Sequence, residues 1–193
     1  MPRIVDHEQR RKELADAARV VVACQGIDAL TIARVASATG YSTGVVNHYF
    51  PNKRQMLLHT YISTVERARE RLAPLLDQSP PDLDLCLKAF LPVNQAQQQE
   101  WLLWFSFWGL AVTDKEFEME QRNRLEAAQT MFQHLFRMHI AHGLLPAEAE
   151  AEFLAHHCVT LINGIAVQAV FDMQAWPPQR QCAMIKRGLG LMN

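Results

Sequence analysis

Residues 31–58 read TIARVASATGYSTGVVNHYFPNKRQMLL, two short helical patterns separated by a glycine and followed by a longer one. Thr31 suits an N-cap, with Ile32, Val35 and Ala36 on the inner face of the helix it opens. A Thr or Ser hydroxyl at that position accepts from a backbone N–H that has no helical partner. Gly40 ends this helix, and Ser42 caps a second one over Thr43–Tyr49. Pro51-Asn52-Lys53 is a turn into a longer helix with Leu57, Leu58, Tyr61, Ile62 and Val65 on its buried face. Such a unit can lay its second short helix in the DNA major groove, which is about 12 Å wide and admits one helix. The capped N-termini at Thr31 and Ser42 would turn free N–H groups toward phosphate oxygens.

The residue types then take roles by their chemistry. Thr43 and Val45 can pack on a thymine methyl, Asn47 can bond an adenine edge through two hydrogen bonds, and His48 can donate to a purine edge. Tyr49 and Lys53 are placed to hold phosphates. Gly44 early in a helix costs about 1 kcal/mol relative to Ala, and close approach of backbone to DNA is one reason to keep it. A bland reading stands beside this one. Thr31 and Ser42 cap helices in any protein, Val46 and Phe50 read as core, and a tight three-helix packing unit needs no DNA.

Upstream, Leu14, Ala17, Ala18, Val21 and Val22 form the stripe of a first helix from about Asp6 to Gln25, closed by Gly26. With it, Thr31, Ile32-Ala33, Ala36, Gly40, Ser42, Gly44, Tyr49-Phe50 and Lys53 resemble the signature of the TetR family of transcriptional regulators. The resemblance covers about residues 8–60. It implies an all-α regulator, usually a repressor, that binds a palindromic double-stranded DNA operator as a homodimer and is released by a small-molecule inducer. The residues that match the family's DNA contacts are Thr31, Ser42, Thr43, Val45, Asn47, His48, Tyr49 and Lys53. Two positions depart from the pattern: Asn47 stands where Tyr is frequent, and Tyr41 replaces a small apolar residue. Arg3, Arg10, Arg11 and Lys12 are candidates for a basic arm along the DNA backbone.

Composition agrees with two parts, a helix-turn-helix domain over residues 1–55 and a helical ligand-binding and dimerisation domain over 56–193. The first holds eight Lys/Arg against five Asp/Glu, a balance of +3, and the second eleven against fifteen, a balance of −4. A basic end on an acidic body suits a modest nucleic-acid binder. Among the 193 residues 49% are apolar, enough to bury a core, and strand patterns are nearly absent. Further helices are expected at about 82–90, 96–112 and 115–142, then from Pro146 to Phe171, and finally from Pro178 to Leu191, with Pro74 marking a break. The longest apolar run, Trp101 to Val112, is short of the about 20 residues that span a bilayer, and residues 1–8 have no apolar core of a secretory signal. The protein is expected to be soluble and cytoplasmic, with no membrane partner.

In the body, Trp101, Trp104, Phe105 and Trp108 fall at i, i+3, i+4 and i+7 and share one helix face. They are either core or the wall of a ligand pocket between helices. This Trp-rich segment, Leu161-Ile162-Asn163-Gly164 and the Val46–Phe50 stretch are similar in style to the choline-responsive BetI-type subgroup, which would imply a quaternary amine ligand. By the same resemblance the last two helices pair with their copies in a dimer. The four cysteines make no C-x-x-C pair, and His139/His142 and Glu152/His156 have chelating spacing that satisfied histidines share far more often. No metal, cofactor or catalytic constellation is readable, so no enzyme activity is expected. The alternative to a regulator is an all-helical small-molecule-binding or adaptor protein without DNA binding.

Overall fold

A computed structural model describes residues 6–191, and every regular element within them is helical. Helix α1 (His7–Gln25) opens on Asp6, whose carboxylate accepts from Gln9 N at 2.9 Å. It buries Leu14, Ala18, Val21 and Val22, the apolar stripe read from the sequence. A single 3-10 turn, Ile27–Ala29, leads to α2 (Ile32–Thr39) and α3 (Thr43–Tyr49). Thr31 Oγ1 accepts from Arg34 N and Ser42 Oγ from Val45 N, each at 3.2 Å, as the sequence led one to expect. Between them Gly40 sits at φ +73°, a left-handed conformation that costs an L side chain about 1–2 kcal/mol. A Cβ there would meet nothing within 4 Å. Gly40→Ala should therefore cost about 1 kcal/mol by backbone strain alone, read as a lower urea midpoint at unchanged m value.

Helix α4 (Lys53–Leu76) begins at an Asn52 cap and runs on through Pro74, where the sequence suggested a break. Proline removes only the bond to the carbonyl four residues back, and that carbonyl belongs to exposed Glu70 in the last turns. Then follow α5 (Leu83–Lys88), α6 (Gln95–Ala111), α7 (Lys115–Ala141), α8 (Ala151–Phe171) and α9 (Pro178–Gly188). Two expected boundaries move. Pro146 does not open α8: Ala149 N bonds Pro146 O at 3.0 Å in a separate turn, and the helix starts at Ala151. The last helix stops at Gly188 rather than Leu191.

One apolar core runs unbroken from Leu14 through Phe50, Phe107 and Phe136 to Leu189. Polar ties reinforce the junction of α1, α4 and α6. Glu100 of α6, 1% exposed, accepts two hydrogen bonds from Arg71 of α4 (2.8 and 2.7 Å) and lies 3.8 Å from Arg67. Arg67 also reaches Asp16 of α1 at 3.0 Å, and Arg19 of α1 donates to Gln99 at 2.9 Å. The first helix is thus fixed to the body by charge as well as by packing.

Helix α8 is apolar and long enough, by length and composition, to cross a membrane. Ala155, Cys158, Ala166 and Ala169 are nevertheless fully buried in the body, so one side of it is core. Its other side leaves Phe153, Val167 and Phe171 exposed, Phe171 at 81%, and Met184 of α9 is exposed as well.

Candidate functional site

The outer surface of the α2–α3 unit carries most of the expected DNA-contacting residues together. Thr31, Ser42, Thr43, Gly44, Asn47, His48 and Lys53 are exposed, and Val45 is half-buried. Val46 and Phe50 are fully buried and hold α3 in place from beneath. The Thr31 and Ser42 hydroxyl oxygens act as caps, which leaves each hydroxyl hydrogen able to donate outward. Lys53 Nζ lies 3.5 Å from Asp28 O, so its ammonium stands over the α1–α2 loop.

Tyr49 is placed differently from a free phosphate ligand. Its ring is 8% exposed, and its hydroxyl is hydrogen-bonded to Nδ1 of His7 at 2.8 Å, with His48 packed edge-on at 5.1 Å between ring centroids. Tyr41 locks the turn between the two short helices: its hydroxyl donates to Glu13 at 2.7 Å and Arg10 lies over its ring at 4.3 Å. That hydrogen bond holds the Glu13 carboxyl below the usual carboxylate range. The large residue after Gly40, a departure from the family pattern, thus has a structural use. Of the candidate arm, Arg10 is engaged with Tyr41 and Glu13, and Lys12 pairs with Glu70 at 3.3 Å. Arg11 is exposed, and Arg3 lies outside the described residues.

Behind this head, a cavity of about 340 Å³ opens between α4, α6, α7 and α8. Trp101, Trp104 and Trp108 line it; Phe105 does not. Helix geometry supplies the reason. At about 100° per residue, Trp104 and Trp108 lie roughly 60° and 20° to one side of Trp101, and Phe105 roughly 40° to the other. Phe105 backs the wall instead, 5.5 Å from both Trp101 and Trp108. Sequence reading missed the partners on the other helices: Tyr61, Val65 and Arg69 of α4, Asn163 of α8, and Gln121, Arg124, Leu125, Ala128, Met131 and Phe132 of α7. The α7 set recurs at spacings of three and four, a stripe that an amphipathic plot of that helix would have raised.

Two links join the cavity to the head. Tyr61 donates to Gln121 Oε1 at 2.5 Å and stacks on Phe107 at 3.7 Å, tying α4 to α7 and α6, and burial pushes its hydroxyl pKa well up. At the first turn of α4, Arg54 grips Asp114 through Nε and Nη2 (3.0 and 2.8 Å) and also pairs with Glu116, both on the start of α7. The guanidinium holds the Asp114 carboxyl below its ordinary value. The start of α7 is thus tied to the first turn of the helix that follows α3. Among the described residues, no three side chains of metal-ligating type cluster. His139 and His142 each bond the carbonyl four residues back.

Residues 80–192, more than half of the chain, match the profile of the BetI-type transcriptional repressor C-terminal domain, and residues 14–60 match that of the bacterial regulatory proteins of the TetR family. The chain belongs to the TetR family. It is a DNA-binding transcriptional regulator with a BetI-type body. Curated relatives agree in extent as well as in kind. The regulator BetI of Vibrio parahaemolyticus is 28% identical over 179 residues, 90% of this chain and 87% of the relative. The regulator PksA of Bacillus subtilis is 26% identical over 176 residues, 89% and 84% of the two chains. Solved structures share the TetR-family fold at lower identity. A TetR regulator of Haloarcula marismortui superposes with TM-score 0.84 at 20% identity, covering 96% of this chain and 98% of that one. A regulator of Saccharomonospora viridis, solved in complex with choline, superposes with TM-score 0.82 at 18% identity, over 95% and 97%.

Proposed function

We propose that this TetR-family regulator is a cytoplasmic repressor that binds a palindromic operator as a homodimer through α3 and leaves it when a small molecule fills the cavity. The exposed cluster on α2 and α3, held by buried Val46 and Phe50, carries the reading of DNA. Thr31, Ser42 and Lys53 are assigned to phosphates, Tyr49 to the same end of α3 through a hydroxyl it shares with His7, and Thr43, Val45, Asn47 and His48 to base edges. Residues 1–55 are assigned to reading, and 56–193 to ligand and partner. The exposed apolar side of α8, with Met184 of α9, supports a dimer: a two-fold axis there would cover Phe153, Val167 and Phe171 with their own copies. Such a dimer sets two reading heads about one DNA turn apart, near 34 Å. Trp101, Trp104 and Trp108, with Phe105 behind them, are assigned to the inducer. No catalytic role is assigned to any residue. Ligand entry would shift α4, since Tyr61 and Arg54 connect that helix to α7 on either side of the cavity's approach to the head.

The test is a titration of the protein against the duplex immediately upstream of its own gene at two salt concentrations. Binding should weaken with salt by a log–log slope of about −0.9 per neutralised phosphate. Lys53→Ala should reduce that slope by about one, and Asn47→Ala should cost about 1–3 kcal/mol on the best sequence and little on others. Variants that bind every sequence as the wild type does would remove α3 from the DNA.

A further inference from the structure

The cavity's chemistry bears on what enters it, given the reading above that the inducer binds there. No Asp or Glu is among the lining residues, whereas Arg69 and Arg124 both are. Glu66 and Glu120 balance these arginines from outside the lining: Arg124 Nε reaches Glu120 at 2.5 Å, and Glu66 lies 3.3 Å from Nη1 of both arginines. Arg124 thus stands in the cavity wall with its Nε and Nη1 turned to these carboxylates.

One neutral donor points the same way. Trp104, 8% exposed, has a buried indole N–H with no acceptor. The Trp108 N–H faces the Tyr61 hydroxyl oxygen and is spoken for within the fold. So is that of Trp101, which donates to Phe90 O at 2.8 Å. An unmet buried donor is a cost to the empty fold that a ligand acceptor would recover.

A cationic ligand would be drawn by a carboxylate in the lining, and none is there. The three indoles already meet one another edge to face, Trp101 with Trp104 at 4.8 Å and with Trp108 at 5.9 Å. The remaining wall, including Val65, Ala128 and Met131, is apolar. We propose that the inducer is an amphipathic carboxylate, with an apolar body along α4 and α7 and its anionic oxygens held by the Arg124 guanidinium and the unpaired Trp104 N–H. This differs in charge from the choline bound by the Saccharomonospora viridis regulator.

Calorimetry and tryptophan fluorescence on the intact protein, with octanoate, octanamide and choline as probes, test the proposal. Octanoate should bind roughly tenfold or more tighter than octanamide, the range that hydrogen bonds to a charged group supply. Arg124→Gln should bring the acid-to-amide ratio near one while octanamide binding stays. Arg69→Gln, at an exposed position, serves as a second variant with less risk to folding. A merely structural arginine would weaken both probes alike and leave the ratio in place. Choline binding tighter than octanoate, a wild-type ratio near one, a ratio unchanged in both variants, or no binding of octanoate overturns the proposal. Ala128→Trp, which fills the cavity, separates this from failure of the site itself. If choline or octanamide binds and Ala128→Trp abolishes it, the cavity is the site and only the carboxylate is wrong. Probe binding that survives Ala128→Trp removes the cavity as the site.

Discussion

Gly44→Glu should make the protein more stable and unable to hold DNA. Gly44 is the second residue of α3 and is exposed. Its φ is not positive, and a Cβ there would meet only Ser42 Oγ at an ordinary 3.7 Å. Nothing within the fold requires glycine. An ordinary residue gains about 0.5–1 kcal/mol of helix propensity, and a carboxylate at a helix N-terminus adds about 0.3–1 kcal/mol. In the proposed complex the same side chain would place bulk and negative charge between the start of α3 and the DNA. Like charges brought together at an interface cost several kcal/mol, so affinity should fall roughly a hundredfold or more. Gly44→Ala separates the two causes, since it adds bulk without charge and should lose less affinity. Urea denaturation and fluorescence anisotropy on the same preparations read both effects. Stability rising while DNA affinity holds would mean that α3 faces solvent, not DNA.

Glu100→Ala should produce the largest loss of folding stability among single polar substitutions. The Glu100 carboxylate is almost fully buried, with both oxygens bonded to Arg71 and with Arg67 beside it. The Nε atoms of Arg67 and Arg71 already have no hydrogen-bond partner. Removing the carboxylate leaves the half-buried Arg71 guanidinium unpaired and Arg67 with Asp16 alone, which costs about 3 kcal/mol, the low end for a broken buried pair. Domains are stable by about 5–15 kcal/mol in all, so the variant approaches unfolding. Because Arg67 continues to Asp16 of α1, the loss should appear as weakened docking of the reading head, with amide exchange in α1 rising first. Pairing Glu100→Ala with Arg71→Met should restore part of the loss. A cost under about 1 kcal/mol, the value of a solvated surface pair, would place this cluster in water.

How much could be read from the chain follows the range of the forces involved. The caps at Thr31 and Ser42 and the glycine at Gly40 act within three or four residues, so the head was legible almost to the residue. Tyr49 was half legible. Its type and position are visible, but its bond to His7, forty-two residues away in the chain, is not. Pro146 misled because proline permits a helix start without compelling one, and here the chain closes a turn first. The aromatic stripe of α6 could be read as one wall. The cavity is a property of four helices, and the two arginines in its wall, Arg69 and Arg124, lie fifty-five residues apart. Phe105 was grouped with the tryptophans because the i+4 position shares a broad face, though not this narrower one.

The most direct measurement is a selection of the intact protein on a pool of random-sequence duplexes, with Gly44→Glu run beside it. The expected result is enrichment, by the wild type alone, of a two-fold symmetric sequence whose half-site centres lie about 34 Å apart. No enrichment over the input pool by a folded wild-type protein, or equal enrichment by both proteins, would contradict the assignment of α3 to the reading of DNA.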